Sequence, residues 1–201
     1  MGDTAAPRID AMARPPKFDR EEALRSAMHL FWERGFEGTS VNDLTEAMGI
    51  SAPSLYAAFG DKQALYDAAV DLYELTAVVP PALEAPTARE VFEQMLDRAV
   101  KLYTRPNHPR GCFVIADPQL RQRRAVGRAA IADRLRRAQR AGDLAREVNV
   151  EALTDYMDTV LRGLSAKARD GASRKQLRAA ADLALQAWPT PTKGRVPSSP
   201  R

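Results

Sequence analysis

This sequence predicts an all-α protein, and three observations carry the prediction. Ala, Leu, Arg and Glu dominate its 201 residues, and these are strong helix formers. Clusters of β-branched residues, the usual mark of strands, are scarce. Apolar residues recur at three- and four-residue spacing between recognisable start and stop signals. The expected layout is an N-terminal three-helix helix-turn-helix unit followed by a C-terminal helical domain, about nine helices in all.

Each element has its own justification. The first helix starts near Asp19, a capping residue with Glu22 three positions on, and its stripe is Leu24, Ala27, Met28, Phe31 and Trp32. Gly35 stops it. Ser40, with Asp43 behind it, caps a short second helix that Gly49 breaks. Ser51 caps a third, with Pro53 in its first turn, where a missing N–H does no harm. Gly60 ends it, and Asp61 caps a fourth helix carrying Leu65, Ala69, Leu72 and Thr76. Pro80, Pro81 and Pro86 then predict a hinge. A fifth helix follows through Val91–Tyr103, then a loop over 104–111 and a short apolar element, Cys112–Ala116. Asp117-Pro118 opens an arginine-rich helix that runs to Gly142. Asn149 caps the next, ended by Asp170-Gly171, and Ser173 with Gln176 caps the last, which reaches Trp188. The divisions predicted are an N-terminal arm (1–16), a helix-turn-helix unit with its linking helix (17–78), a second domain (79–188) and a Pro/Ser-rich, disordered tail (189–201).

Composition removes several classes of function. A chain of this size buries about 70% of its unfolded surface and needs no disulfide or metal staple. One cysteine, Cys112, and two histidines, His29 and His108, cannot assemble a zinc site, so neither metal nor cofactor is expected. No apolar run approaches the roughly 20 residues of a membrane span, and the first 16 residues lack the apolar core of a signal peptide. A cytoplasmic location, away from membranes, is the expectation. Net charge is +4, but residues 1–60 carry six Lys/Arg against nine Asp/Glu. The positive excess sits between Arg121 and Arg146, on a stretch that reads as a solvated, salt-bridged face. Charge alone therefore argues nothing about nucleic acid; local pattern must.

That pattern lies between Ser40 and Phe59. Two short helices around a Gly turn form a helix-turn-helix, and Val41, Leu44, Ala47, Met48, Ile50, Leu55 and Phe59 can supply its small core. Such a core leaves the outer face of the third helix free for a DNA major groove. The run Gly38-Thr39-Ser40-Val41-Asn42-Asp43-Leu44, then Ala47-Met48-Gly49-Ile50-Ser51, Leu55-Tyr56, Phe59, Lys62 and Leu65 resembles the DNA-binding signature of the TetR family. A looser likeness continues through Gly111-Cys112, Asp117-Pro118, the Arg137–Leu144 run and Gly163–Ser173, so that it covers about residues 17–188.

The resemblance implies a homodimeric transcriptional repressor that binds a palindromic double-stranded DNA operator and is released by a small, apolar or aromatic effector. Ser40 matches a phosphate-contacting hydroxyl, Tyr56 a recognition-helix tyrosine that meets the DNA backbone, and Lys62 a phosphate-binding lysine. Ser51, Ala52, Pro53 and Ser54 match the leading edge of the recognition helix, with Ala57 available to thymine methyls. Ala57 and Ala58 depart from the family's usual aromatic or His before the Phe.

The stripe Phe92, Met95, Leu96, Tyr103, Phe113, Tyr156, Met157 and Val160 reads first as core. The resemblance places an effector pocket among these helices. In the last two helices, Leu161, Leu164, Ala168, Ala181, Ala184 and Trp188 mix small and large residues, which suits a four-helix dimer seam. Cys112 near His108 lacks an orienting partner and reads as a small buried hydrophobe rather than a nucleophile. Two rivals remain: an activator or ligand-independent DNA-binding regulator, and a small helical enzyme, for which the sequence offers no convergent catalytic set.

Overall fold

A computed structural model describes residues 18–189, so the predicted arm and all but the first residue of the predicted tail lie outside the described residues. No strand occurs among those described. Ten α-helical segments follow in order: α1 (Arg20–Arg34), α2 (Val41–Met48), α3 (Ala52–Phe59), α4 (Lys62–Glu74), α5 (Val79–Ala82), α6 (Ala88–Tyr103), α7 (Phe113–Ala116), α8 (Arg121–Arg140), α9 (Val150–Arg169) and α10 (Arg174–Gln186). A 3-10 turn, Pro118–Leu120, leads into α8. The all-helical class with an N-terminal helix-turn-helix is as expected; α5 accounts for the count being higher.

The caps explain most boundaries. Ser40 and Asp43 form a reciprocal capping box on α2, and Ser173 with Gln176 does the same on α10. Asp19 satisfies the amides of both Glu21 and Glu22 itself rather than as half of such a box. A third box, Thr87 with Glu90, starts α6 at Ala88, three residues before the expected Val91. Its T-x-x-E spacing was present in the sequence.

The proline-rich break is not a loose hinge. Val79–Ala82 closes one helical turn with prolines in its first positions, where no N–H is needed. Arg134 of α8 then donates to the carbonyls of Leu83, Ala85 and Pro86 at 3.2, 2.8 and 3.0 Å. A charged side chain from a distant helix thus replaces the amides that proline cannot supply.

Buried residues run continuously from Ala23 on α1 to Trp188 just past α10. Helix α1 packs on α2 and α4, while α6, α9 and α10 form a layered bundle with α8 alongside α9. Aromatic edges join the two regions: Tyr66 of α4 meets Phe31 at 5.0 Å and Phe113 of α7 at 5.8 Å.

Candidate nucleic-acid interface and effector cavity

Helix α3 is amphipathic in the way the motif needs. Leu55 and Phe59 are buried beneath it, whereas Tyr56 is 48% exposed and Ser51, Pro53 and Ala57 are exposed. Ala52 and Ser54 are half-buried. Residues four apart therefore hold the helix down, and their neighbours one position on face outward. Gly49 makes the turn possible, at φ 66°, in the left-handed region that penalises a Cβ.

The polar groups of this face are already organised. Ser51 Oγ accepts the Ser54 N–H at 3.3 Å and lies 2.9 Å from Ser54 Oγ. Ser40 Oγ accepts the Asp43 N–H at 3.1 Å and donates its own proton to Asp43 Oδ2 at 2.5 Å. Hydrogen bonds from Ser40 hold the Asp43 carboxyl below its ordinary range, with Arg34 adding to the effect. A hydroxyl has one proton, so Ser40 must release Asp43 before it can donate to a phosphate. The Lys62 ammonium rests 4.0 Å from the centroid of the Phe36 ring, which fixes the start of α4 beside the helix-turn-helix. Arg20, which sequence reasoning did not single out, stacks 4.6 Å over Phe59 and is a further cation next to the end of α3.

A cavity of about 270 Å³ opens among the end of α4, α5, α7, α8 and α9. Its wall is mostly aliphatic: Val78, Val79, Leu83, Val114, Ile115, Val126, Ile131 and Leu161. Its polar atoms are Tyr73 and Tyr103 flanking Cys112, whose Sγ accepts the Tyr73 hydroxyl at 3.2 Å. Burial pushes the Cys112 thiol up, so it stays protonated, and burial likewise raises both tyrosines. Every charged side chain on the wall is already engaged. Arg123 pairs with Glu74 and Asp71 at 2.8 and 2.6 Å, Arg128 with Glu151 and Asp155, and Asp158 with Arg162. Arg124 donates to backbone carbonyls of Val114 and Asp117.

Two sets of expected residues sit elsewhere. Of the pocket stripe, Tyr103 alone lines this cavity. Phe92, Met95, Leu96, Phe113 and Met157 are packed in the core. Tyr156 and Val160 are half-buried, and the Tyr156 hydroxyl is spent on the Ala184 carbonyl at 2.7 Å. Of the dimer set, Leu161, Leu164, Ala168, Ala181 and Trp188 are buried within the protomer, and only Ala184 is half-exposed. Leu161 lines the cavity instead, and Trp188 lies against Phe92. The reason is common to both: an apolar stripe is consumed first by the helix's own neighbours in the chain. The faces left open are Thr159, Gly163 and Ala166 on α9, and Ala180 and Leu183 on α10 with Ala187 just past its end. Small residues at that spacing gave no hydrophobic signal.

A short helix pair with an outward face, set ahead of a helical body that encloses a cavity, defines a helix-turn-helix transcriptional regulator. Residues 23–69 match the family described as bacterial regulatory proteins, tetR family. The chain is 32% identical to the HTH-type transcriptional repressor ComR of Escherichia coli (strain K12), over 88% of this chain and 91% of that protein. It is 37% identical to the HTH-type transcriptional repressor BdcR of the same organism, over 88% and 92%. It therefore belongs to the TetR family. Among solved structures, a cysteine-substituted form of the TetR family regulator CifR, complexed with 26-base-pair double-strand operator DNA, aligns with a TM-score of 0.76 and 38% identity. That alignment covers 88% of this chain and 100% of CifR. No helix among the described residues is long and apolar enough to cross a membrane.

Proposed function

We propose that this protein is a homodimeric repressor that binds a palindromic operator through α3 and is released by a small, uncharged, largely apolar molecule. The observation that carries the DNA-binding reading is the half-exposed Tyr56 above buried Leu55 and Phe59, with Lys62 held at the adjoining helix start. Ser40, Ser51, Ala52, Pro53, Ser54, Tyr56, Ala57 and Lys62 make the contacts. The operator-bound CifR, alike over its whole length, supports the same mode of binding here.

The dimer forms through the open faces of α9 and α10, where Gly163, Ala166 and Ala180 allow close approach and Leu183, 65% exposed, supplies apolar area. Two-fold symmetry then presents two copies of α3 to successive major-groove faces. The effector occupies the cavity walled by Val78, Ile115, Ile131 and Leu161. Because the charges on its wall are paired already, a neutral ligand enters without stripping any of them. Effector and operator favour different arrangements of the same dimer; shifting the population from 1:99 to 99:1 takes about 5.5 kcal/mol of differential affinity.

Selection of duplexes from a random pool by the full chain tests the reading. A palindromic consensus is expected, and small neutral apolar compounds should weaken its binding. Failure to enrich any sequence, or enrichment of a single asymmetric half-site, would sink it.

A further inference from the structure

We infer that Asp117 is the positioning residue that links the cavity wall to the DNA-binding helices, an inference that rests on reading that cavity as the effector site. Asp117 lies between α7 and the 3-10 turn and is only 5% exposed. Its two carboxylate oxygens serve two separate parts of the chain. Oδ1 accepts the N–H of Gln119 at 2.9 Å, within its own turn. Oδ2 accepts the N–H of Phe36 at 3.1 Å, 81 residues away, just after α1 ends. Among the ion pairs of the described residues none includes this carboxylate; besides the two amides, the Tyr66 hydroxyl faces it.

The cavity side is held by Arg124. One guanidinium nitrogen, Nη1, donates to the Asp117 carbonyl at 2.6 Å and to the Val114 carbonyl at 2.8 Å. Arg124 and Val114 both line the cavity. Anything that displaces this wall therefore moves the two ends of the segment from which the carboxylate reaches. The approach on the other side is close: a Cβ built on Gly35 would stand 3.4 Å from Asp117 Oδ2. Gly35 has φ 73°, where a Cβ is strained, and this turn presents the Phe36 amide to the carboxylate.

From Phe36 the contact passes directly to the DNA-binding face. Its ring lies edge-on to Tyr66 at 5.0 Å and beneath the Lys62 ammonium at 4.0 Å. The sequence of touching groups is thus Arg124, Asp117, Phe36, Lys62, from cavity wall to proposed phosphate contact. The directional step is the Asp117–Phe36 hydrogen bond. Its geometry requires the turn and the end of α1 to keep one distance, whereas aromatic packing tolerates sliding.

Amide hydrogen exchange on the full chain, without ligand or DNA, tests the link. An Asn side chain offers one acceptor oxygen where two amides need two, so Asp117→Asn should speed exchange over residues 33–44 at least tenfold. The Arg124 side chain hydrogen-bonds to the carbonyls of Val114, Asp117 and Pro118 and not to α1, so Arg124→Gln should speed the same segment only through Asp117; Arg124→Lys serves if that variant fails to fold. Arg136→Gln, whose partners are Asp133 and Glu151 and which does not line the cavity, should leave it unchanged. Asp117→Asn should also bind a duplex selected by the parent at least tenfold more weakly. Parent-like exchange at 33–44 in both Arg124 variants, or equal acceleration in α10, overturns the inference; so does parent-like duplex binding by Asp117→Asn. The exchange measurement needs no effector, so a failure to find one bears on the cavity's role and not on this link.

Discussion

His29 and His108, the only two histidines, meet edge to face with ring centroids 4.6 Å apart. His29 sits on α1, in the DNA-binding region, and His108 on the loop between α6 and α7. The contact therefore bridges the same two parts of the molecule as Asp117 does. Trp32 lies against His108 with centroids 6.5 Å apart, and Glu33, Arg110 and Arg169 share its pocket.

Acid should weaken this bridge. Burial, then Arg105, lowers the His29 pKa from 6.5; burial, then Arg105, then His29, lowers that of His108. The unfolded chain thus binds more protons than the folded one in this range. The stabilising contribution is complete above pH 6.5 and is lost as pH falls through the lower folded values. Thermal midpoints measured from pH 8 to pH 5 should decline below that point, less steeply in a His29→Gln, His108→Gln double variant. Parallel curves would show that other groups dominate.

Lys62 and Tyr56 should separate in a salt titration. Lys62→Ala should weaken duplex binding and lower the slope of log K against log salt by about one. Tyr56→Phe removes a hydroxyl but no charge, so it should cost about 1 kcal/mol while leaving the slope alone. Fluorescence anisotropy at several salt concentrations measures both.

Leu183→Arg should give a folded monomer, because the side chain is exposed in the protomer. Leu164→Ala should instead destabilise the protomer by about 2–5 kcal/mol, since Leu164 is buried within it. Sedimentation together with thermal unfolding distinguishes the two, and a Leu183→Arg protein that stays dimeric would move the seam elsewhere.

Two glycines should respond oppositely to alanine. Gly127 lies inside α8 with nothing within 4 Å of a built Cβ. Gly127→Ala should stabilise by about 0.5–1 kcal/mol through helix propensity. Gly49 also has open space, but at φ 66° a Cβ is strained, so Gly49→Ala should cost about 1–2 kcal/mol. Denaturant midpoints read both effects.

The helix-turn-helix was legible because it is local. Ser40, Gly49, Ser51, Gly60 and Asp61 set boundaries through contacts within four residues, and the alternation of Leu55 and Phe59 with Tyr56 follows from the helical repeat. The start of α6 was legible too, in Thr87 and Glu90. The cavity and the proposed dimer face were not. Hydrophobic spacing marks which side of a helix is buried, but is silent about whether a helix of the same chain, a ligand or a second copy covers it.

Sequence by itself determined the helical class, the family and the exposed outer face of α3, because capping, propensity and periodicity act over a few residues. Tertiary structure alone decided that Phe92 and Leu164 are spent inside the protomer, that Arg134 pins the proline turn, and that Asp117 reaches Phe36. Those outcomes depend on which distant surfaces come together in space, and burial goes to whichever neighbour is already tethered nearby.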